Sequence, residues 1–341
     1  MKRYNRSILM LYTAAILTGC NAESPVGSTD IDAVPLEITT GIESQVHTRS
    51  IVFGTQFSHE ARIQVIGINQ STNILTTATY ACKNPNGTSE AWVFTDKGIA
   101  LSSDNMRVLA RYPVGGNSTI DATSFTPGMK TTQAIGDISK YNSDNSFSTR
   151  FGNTGGDLLE VVMANEEEDY MTGTDQRETN GAPVYRTKTN KEVFLTTKHC
   201  MAIAVFHVKK STLNTNPGIV KSILIQNKDA NNGPLRKGKF DFETNAFTPD
   251  DRVEYKRTMD NFPDDCYYGV MVYPAKMEAS SVTVQLEVDL ITYHFDLPAK
   301  TWESGTILLY EIELLPTKAK LMDTVQVFDW EIGDTHIFEI N

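Results

Sequence analysis

Alternation of apolar and polar residues is the dominant pattern along this chain. The strongest example is VTVQLEVDL, residues 282–290, in which every second residue is apolar. A period of two predicts a β-strand with one buried face, because successive side chains of a strand point to opposite sides. The face that we expect to be buried consists of Val282, Val284, Leu286, Val288 and Leu290.

The next segment, ITYHFDL at residues 291–297, alternates in the opposite phase. This change of phase predicts a bulge or a tight turn near residues 290–292. Further strands are predicted at RIQVIGI (62–68), MAIAVFHV (201–208), KSILIQN (221–227), YYGVMVYPA (267–275) and ILLYEIEL (307–314). No segment sustains a helical pattern over three turns, and GGDLLEVVMANEEED (155–169) comes nearest. Many short strands with turn signals between them predict an all-β fold of antiparallel sandwiches.

The first 20 residues have the layout of a secretion signal. Lys2, Arg3 and Arg6 precede an uncharged, mostly apolar run, which is shorter than the roughly 20 residues of a permanent membrane-spanning helix. LTGC, residues 17–20, is similar to a bacterial lipobox, which predicts cleavage before Cys20 and acylation of that cysteine. The alternative is an ordinary signal peptide that happens to end in cysteine. We therefore expect a signal peptide at residues 1–19 and, at 20–34, a lipidated cysteine with a polar tether that holds the protein on a membrane.

The remaining residues are numerous enough for two domains. Residues 165–191 are charged, contain glycine and proline and are poor in apolar side chains, which indicates a solvated linker or loop. The acidic run Glu166–Asp169 belongs to this segment. We place an N-terminal β-sandwich domain at residues 35–175 and a C-terminal one at 176–341.

The net charge and the cysteine content restrict the classes of protein to which this chain can belong. The formal net charge of −11 falls to −14 without the three positive charges of the signal peptide, which argues against a nucleic-acid partner because phosphate binding requires clustered Lys and Arg. With Cys20 acylated, three cysteines remain, and an odd number cannot all pair within one chain: Cys82, Cys200 and Cys266. We expect buried thiols by default, and one bridge stays open as an alternative.

Catalytic motifs are absent from the sequence. The six histidines are scattered, and the chain contains no His-Glu-x-x-His, Cys-x-x-Cys, Gly-x-Ser-x-Gly or phosphate-binding loop motif. His199 and Cys200 are adjacent, but neighbours on a strand point to opposite faces and do not readily share a proton. The sequence therefore favours a structural or binding protein over an enzyme, and it predicts no metal and no cofactor.

Several segments, taken in order, resemble the fimbrillin-like family, whose members are lipoprotein precursors of the type V pili of Gram-negative anaerobes. The lipobox is followed by VPLEITTGI (34–42), Thr48-Arg49-Ser50, FSHEARIQVIGI (57–68), DLLEVVMA (157–164), VFLTTKHCMAIAVFHV (193–208), WESGTILLYEIEL (302–314) and a final strand with Trp330. Leu308 departs from the family, which commonly has an aromatic residue there, and residues 81–156 show little similarity.

The resemblance implies two stacked, transthyretin-like β-sandwich domains and assembly by strand exchange. It implies that a trypsin-like protease cuts between Arg49 and Ser50, and that the strand Pro35–Val46 then leaves a groove for a strand of the next subunit. The candidate donor is the C-terminal tail, through Val325, Val327, Phe328, Trp330 and Ile332. The alternative is that this tail closes a sheet of its own chain.

The resemblance also implies partners and a location. The partners are other fimbrillin subunits in a polymer and the maturation protease, and the chain is an outer-membrane lipid-anchored precursor that reaches the cell-surface fimbrium and supports cell adhesion. The alternative is a monomeric surface lipoprotein that binds a glycan or host protein. Its candidate aromatic platform is Tyr80, Trp92, Tyr112, Tyr267 and Tyr268, although such residues more often belong to a core.

Overall fold

The computed structural model of the 341-residue chain describes residues 34–41, 45–46, 53–54, 60–83, 92–95, 97–114, 118–121, 123–137, 148–151, 159–164, 167–175, 183–329 and 335–339. These ranges contain β-strands, turns and connecting segments and no helix. In particular, none of the described segments is a helix of the length and apolar character that a membrane crossing requires. The predicted all-β class is confirmed.

The described strands of the first half of the chain are β1 (Val34–Pro35), β2 (Glu37–Gly41), β3 (Gln45–Val46), β4 (Phe53–Gly54), β5 (Arg62–Asn69), β6 (Leu75–Cys82), β7 (Trp92–Phe94), β8 (Ala100–Leu101), β9 (Met106–Tyr112), β10 (Thr119–Ile120), β11 (Ser124–Thr126), β12 (Thr132–Asp137), β13 (Ser148–Phe151), β14 (Leu159–Val162) and β15 (Met171–Asp175). Those of the second half are β16 (Glu192–His199), β17 (Ala202–Lys210), β18 (Val220–Asn227), β19 (Arg236–Asp241), β20 (Phe247–Arg252), β21 (Tyr255–Phe262), β22 (Cys266–Val272), β23 (Ala275–Met277), β24 (Val282–Val288), β25 (Ile291–Asp296), β26 (Lys300–Trp302), β27 (Thr306–Leu314), β28 (Ala319–Asp329) and β29 (Thr335–Glu339).

Seven strands close into a barrel in the order β15-β16-β2-β7-β6-β5-β9. Its interior is a separate apolar core, to which β5 contributes Ile63 and Val65. The other face of β5 is apolar too, and there Ile66 and Ile68 pack against the core of the C-terminal half. The strand RIQVIGI is therefore buried on both faces because it lies between two cores.

The C-terminal half is a sandwich of two sheets. A seven-stranded sheet has the order β13-β14-β22-β17-β27-β28-β29, and a five-stranded sheet has the order β12-β21-β18-β24-β25. Side chains from both sheets form one core. In β24 the predicted apolar face is buried from Val282 to Val288 and the alternate residues are less buried, as the period of two predicts.

Leu290 is the exception on the predicted face of this strand. β24 and β25 pair from Val288 opposite Ile291, so residues 289–290 form the tight turn that the change of phase predicts. Leu290 stands at its tip and is fully exposed. The prediction of a buried Leu290 is wrong because the strand ends two residues earlier than the apolar pattern does.

Several strands cross the predicted domain boundary between residues 175 and 176. β16 completes the N-terminal barrel by pairing with β15 and β2. In the other direction, β11, β12 and β14 pair with β19, β21 and β22. Four pairs, β2–β16, β12–β21, β14–β22 and β17–β27, are parallel, whereas the sequence pattern predicted antiparallel sheets. Parallel neighbours arise here because the paired strands are far apart in sequence and are joined by crossovers.

The segment predicted as a solvated linker is ordered structure in its described part. It contains β15, which pairs with β9 on one side and with β16 on the other. Glu167 and Asp169 of the acidic run are 1% and 0% exposed. The solvated-loop interpretation is wrong for these residues, because their carboxylates are paired with buried cationic and polar groups that are far away in sequence. The nearest helical candidate, residues 155–169, contributes strand β14 instead.

Candidate assembly site

The N-terminal strand β2 is an integral part of the barrel wall. It pairs in parallel with β16 along its whole length, from Glu37 opposite Glu192 to Gly41 opposite Thr196. On its other edge Ile38 pairs with Trp92 of β7 in the antiparallel sense. Both edges of β2 are therefore engaged, and β2 is what joins β7 to β16 in the closed barrel.

Leu36, just before β2, anchors this segment in the barrel interior. It is 2% exposed and belongs to the same core as Trp92, Val193 and Leu195. Its backbone N–H donates a 2.9 Å hydrogen bond to the carbonyl oxygen of Ile99. Removal of this segment would uncover an apolar pocket together with unpaired backbone groups on β7 and β16, which is the chemistry that an incoming extended strand satisfies.

The predicted processing residues lie outside the described residues. Arg49 and Ser50 fall in the chain between β3 and β4, which pair with each other through Val46 and Phe53. Cys20, the predicted lipidation residue, also lies outside the described residues. All three assignments therefore stay predictions.

The C-terminal tail occupies the end of the seven-stranded sheet. β28 pairs with β27 on one edge, and β29 pairs with β28 on the other, from Thr324 opposite Glu339 to Phe328 opposite Thr335. Val325 is fully buried opposite Tyr310, and Val327 is partly buried. Trp330 and Ile332 lie outside the described residues. In this structure the described part of the tail thus completes a sheet of its own chain, which was one of the two alternatives.

The aromatic residues of the alternative glycan-binding platform do not form an exposed surface. Tyr80, Trp92 and Tyr268 are 1%, 7% and 0% exposed and belong to the cores. Tyr267 is partly buried and stacks on His207 with ring centroids 4.1 Å apart. These residues therefore stabilise the fold, as the more common role of such side chains suggests.

A buried ion pair that the sequence pattern did not reveal joins the two halves of the chain. The Arg257 guanidinium is fully buried, and its Nη2 and Nε donate to Glu167 Oε1 at 2.5 Å and Oε2 at 3.1 Å. Glu167 Oε1 also accepts a 2.8 Å hydrogen bond from the backbone N–H of Met271. The acidic composition of residues 166–169 was the available signal, but it does not tell a paired buried carboxylate from a solvated one.

The surroundings of the adjacent residues His199 and Cys200 indicate a structural role and not a catalytic one. His199 Nδ1 lies 3.0 Å from an Asp169 carboxylate oxygen, and both side chains are buried. Burial raises the pKa of the Cys200 thiol well above its ordinary value, and the nearby Asp169 charge adds to this effect, which disfavours the thiolate that a nucleophile requires.

The three predicted thiols Cys82, Cys200 and Cys266 are not disulfide bonded in the structure. Nowhere in the described ranges do three or more His, Cys, Asp or Glu side chains form a group that is placed to hold a metal ion.

Solved structures define the class of fold. A candidate cell adhesion protein from Bacteroides uniformis is similar to this chain with a TM-score of 0.53 at 14% identity, over 88% of this chain and 99% of that protein. A candidate cell adhesion protein from Bacteroides ovatus is similar with a TM-score of 0.51 at 17% identity, over 87% of this chain and 98% of that protein. The barrel and sandwich together are thus an all-β fold that is known from adhesion-type proteins.

The family assignment follows from the sequence match. The Fimbrillin-like family model matches residues 48–330, which is most of the chain. This chain belongs to the Fimbrillin-like family. A comparison with curated protein sequences found no match. Family membership makes the chain a non-enzymatic structural protein of the cell surface, with a fimbrial or adhesive role and with other fimbrillin subunits as partners.

Proposed function

We propose that this chain is the lipid-anchored precursor of a type V pilus subunit, that it is matured by cleavage after Arg49, and that it assembles by strand exchange and supports cell adhesion. Acylated Cys20 holds the precursor on the outer membrane, outside the cytoplasm. The observation that carries the proposal is the position of β2, which precedes Arg49 in the chain and is paired on both edges inside the barrel. Cleavage after Arg49 separates β2, together with β1 and β3, covalently from the rest of the chain.

Loss of residues up to Arg49 opens the barrel between β7 and β16, where β2 lies in the precursor. The backbone groups of β16 that pair with β2 become available over five residues, from Glu192 to Thr196. The pocket of Leu36 becomes available at the same time. An incoming strand with alternating apolar residues regains both the backbone hydrogen bonds and the apolar contacts.

The donor in this proposal is the tail of another subunit. In the monomer the tail is paired with its own sheet, and Val325 is fully buried. Donation of the tail therefore replaces contacts within one subunit by contacts between subunits, as in domain swapping. The net gain comes from filling the groove that β2 leaves empty.

Protein chemistry on the native protein tests the maturation. We expect intact-mass and N-terminal analysis to find a lipidated form that begins at Cys20 in the membrane fraction. Sheared surface assemblies are expected to contain a shorter form that begins at Ser50. Detection of the lipidated full-length monomer alone would contradict processing.

Substitution of the cleavage residue provides the matched test. We expect Arg49→Ala protein to resist cleavage by trypsin at this junction and to stay monomeric, whereas Arg62→Ala, at an exposed position on β5, is processed and assembles like the wild type. The readout is the multimer ladder that survives mild detergent. Normal multimers from the Arg49→Ala protein would remove cleavage from the proposal.

A further inference from the structure

We infer that a recess in the C-terminal half of the chain binds a saccharide that carries a carboxylate, of the hexuronic or sialic acid type. The recess lies between two antiparallel strand pairs, β19–β20 and β23–β26. We call it the Phe247 recess, and its lining includes Arg236, Phe247, Pro249, Pro274, Lys276 and Glu303. The inference rests on the adhesive part of the proposed function, for which it names a ligand, and it requires neither cleavage after Arg49 nor strand exchange.

The walls of the Phe247 recess are largely apolar. Its volume is about 500 Å³, which lies within the range of roughly 300–1,000 Å³ that is usual for small-molecule sites. The ring of Phe247 and three prolines, Pro234, Pro249 and Pro274, form these walls. Flat and rigid apolar walls suit the C–H face of a pyranose ring, because they do not have to be ordered when the ligand binds.

Packing fixes the Phe247 ring at the recess. Phe247 lies opposite Phe240 on the neighbouring strand, with ring centroids 5.1 Å apart, and stacks on Tyr273 at 5.7 Å. The ring also lies beside Gly238, where an added Cβ would stand 2.8 Å from Phe247 Cε2 and 2.1 Å from the carbonyl oxygen of Thr248. A side chain at position 238 would displace the ring, so the glycine keeps this wall in place.

Two cationic side chains at the recess have no carboxylate partner within the described part of the chain. They are Lys276, which is exposed, and Arg236, whose Nη1 donates to the carbonyl oxygen of Asp250 at 2.9 Å. By contrast, the neighbouring Lys237 is paired with Asp251 at 3.2 Å. In a chain with a formal net charge of −11, two uncompensated cations at one recess favour an anionic ligand.

Other polar groups at the recess suit the hydroxyls of a sugar. Thr301 lies opposite Lys276 in the β23–β26 pair, so both side chains are on the same face. Glu303 is exposed, and its backbone carbonyl oxygen accepts hydrogen bonds from Thr306 N–H at 3.2 Å and Thr306 Oγ1 at 2.7 Å. The Glu303 carboxylate can accept hydrogen bonds from hydroxyls but repels a second carboxylate. Cations together with such an acceptor therefore fit an acid that also carries hydroxyls.

The strand edge at the recess does not favour an extended peptide as the ligand. β20 pairs with β19 and with no other described strand. However, Pro249 within β20 has no N–H to donate, and Asp250 and Asp251 follow it. Proline and charged residues on an edge strand oppose the addition of another strand. A peptide would gain few main-chain hydrogen bonds here, whereas a saccharide does not depend on them.

The test measures binding of the uncleaved chain to multivalent glycans by biolayer interferometry. The probes are polyacrylamides that carry β-glucuronic acid, α-N-acetylneuraminic acid or β-glucose, and glucose is the neutral counterpart of glucuronic acid. We expect at least one acidic probe to bind about tenfold or more tightly than the glucose probe, because hydrogen bonds between charged groups are the stronger ones. Added salt is expected to reduce this preference because it screens the charges.

Variants at the recess assign the binding to this site. Lys276→Gln and Arg236→Gln each remove one cation, and we expect each to lower the affinity for the acidic probe about fivefold or more. Thr301→Trp places a large side chain opposite Lys276 and is expected to block the recess to the acidic probes without any change of charge. Lys320→Gln removes an exposed cation on β28 and is the control, expected to stay within about twofold of wild type. Unchanged melting temperatures show that each variant is folded.

The outcomes separate this inference from the proposed function. Absence of binding to both acidic probes, or equal binding of acidic and neutral probes, would overturn the saccharide ligand. Unchanged affinity in the three recess variants would overturn the Phe247 recess as its site. Inhibition by N-acetylphenylalanine that exceeds inhibition by the free sugar acid would overturn the saccharide in favour of a peptide carboxylate. Multimer formation is measured separately, so absence of multimers together with binding of an acidic probe would overturn strand exchange alone.

Discussion

At the scale of single residues, Glu167 connects three parts of the chain. Its carboxylate binds the Arg257 guanidinium of β21 and the backbone N–H of Met271 in β22. The Arg257 Nη1 group also donates to the carbonyl oxygen of Thr131, at 2.8 Å. A buried charge pair of this kind is not a strong net stabiliser, but loss of one partner is costly because the other charge stays buried.

We expect Glu167→Gln to destabilise the protein by about 3–5 kcal/mol, since the Arg257 charge loses the Glu167 carboxylate while it stays buried. The exposed neighbour Glu168 supplies the control, and Glu168→Gln is expected to change stability by less than about 0.5 kcal/mol. The free energy of unfolding from urea titration measures both effects. Equal stability of the two variants would contradict a role for the ion pair.

His207 is the residue with the clearest dependence on pH. Burial opposes its charge, but hydrogen bonds to Glu311 Oε2 at 2.5 Å and to Asp265 Oδ1 at 2.9 Å outweigh burial and raise its pKa. Tyr267 stacks on the ring, and Lys209 lies near Asp265. Because the folded-state pKa is raised, the stabilisation is fully present below the unfolded pKa of about 6.5 and is lost as the pH rises through the folded-state pKa.

The matching experiment compares His207→Gln with wild type across pH. We expect the wild type to exceed the variant in melting temperature most at about pH 6 and least at about pH 9. His294→Gln, which replaces an exposed histidine on β25 and keeps the two His207 carboxylate contacts, is the control variant. A stability difference for His207→Gln that does not vary with pH would show that the two carboxylates do not hold the proton.

At the scale of elements, β2 differs from the other barrel strands because it is the strand nearest to the predicted cleavage point. It is central to the barrel wall, yet the chain on its C-terminal side passes through Arg49 before it returns to the barrel at β5. A central strand at the end of the chain can leave without threading through the fold. This placement makes β2 suitable for removal.

Leu36→Ala tests how much this segment stabilises the barrel. We expect a loss of about 2–4 kcal/mol in the uncleaved protein, because Leu36 is 2% exposed and its truncation leaves a cavity. The exposed Ile74→Ala is the control, with a change below about 0.5 kcal/mol. Denaturant unfolding provides the measurement, and a loss as small as that of the control would mean that burial of Leu36 adds little to the stability of the barrel.

At the scale of the whole molecule, the two halves are interlocked rather than joined by a linker. Arg107 of β9 forms an ion pair with Glu243, and Thr172 of β15 donates a 3.0 Å hydrogen bond to Asn245. The Arg111 guanidinium lies over the Phe125 ring, 5.6 Å from its centroid. Strands also cross between the halves, so the relative position of barrel and sandwich is defined by many contacts.

Sequence alone determined the all-β class and most strands of the C-terminal half, because the period of two is a local property of consecutive residues. It also determined the tight turn between β24 and β25. The order of motifs pointed to the fimbrillin-like family, which the match over residues 48–330 confirms. Arg49, Ser50 and Cys20 stay predictions from the sequence.

Only the tertiary structure decided which strands pair, because pairing joins residues that are far apart in the chain. The pairing of β16 with β2 and the crossing of β11, β12 and β14 into the C-terminal half leave no mark on local composition. The same holds for Glu167, whose acidic neighbourhood indicates solvent until Arg257, 90 positions later, is placed beside it. Local patterning sets what each segment becomes, and long-range pairing and burial of charge set where it lies.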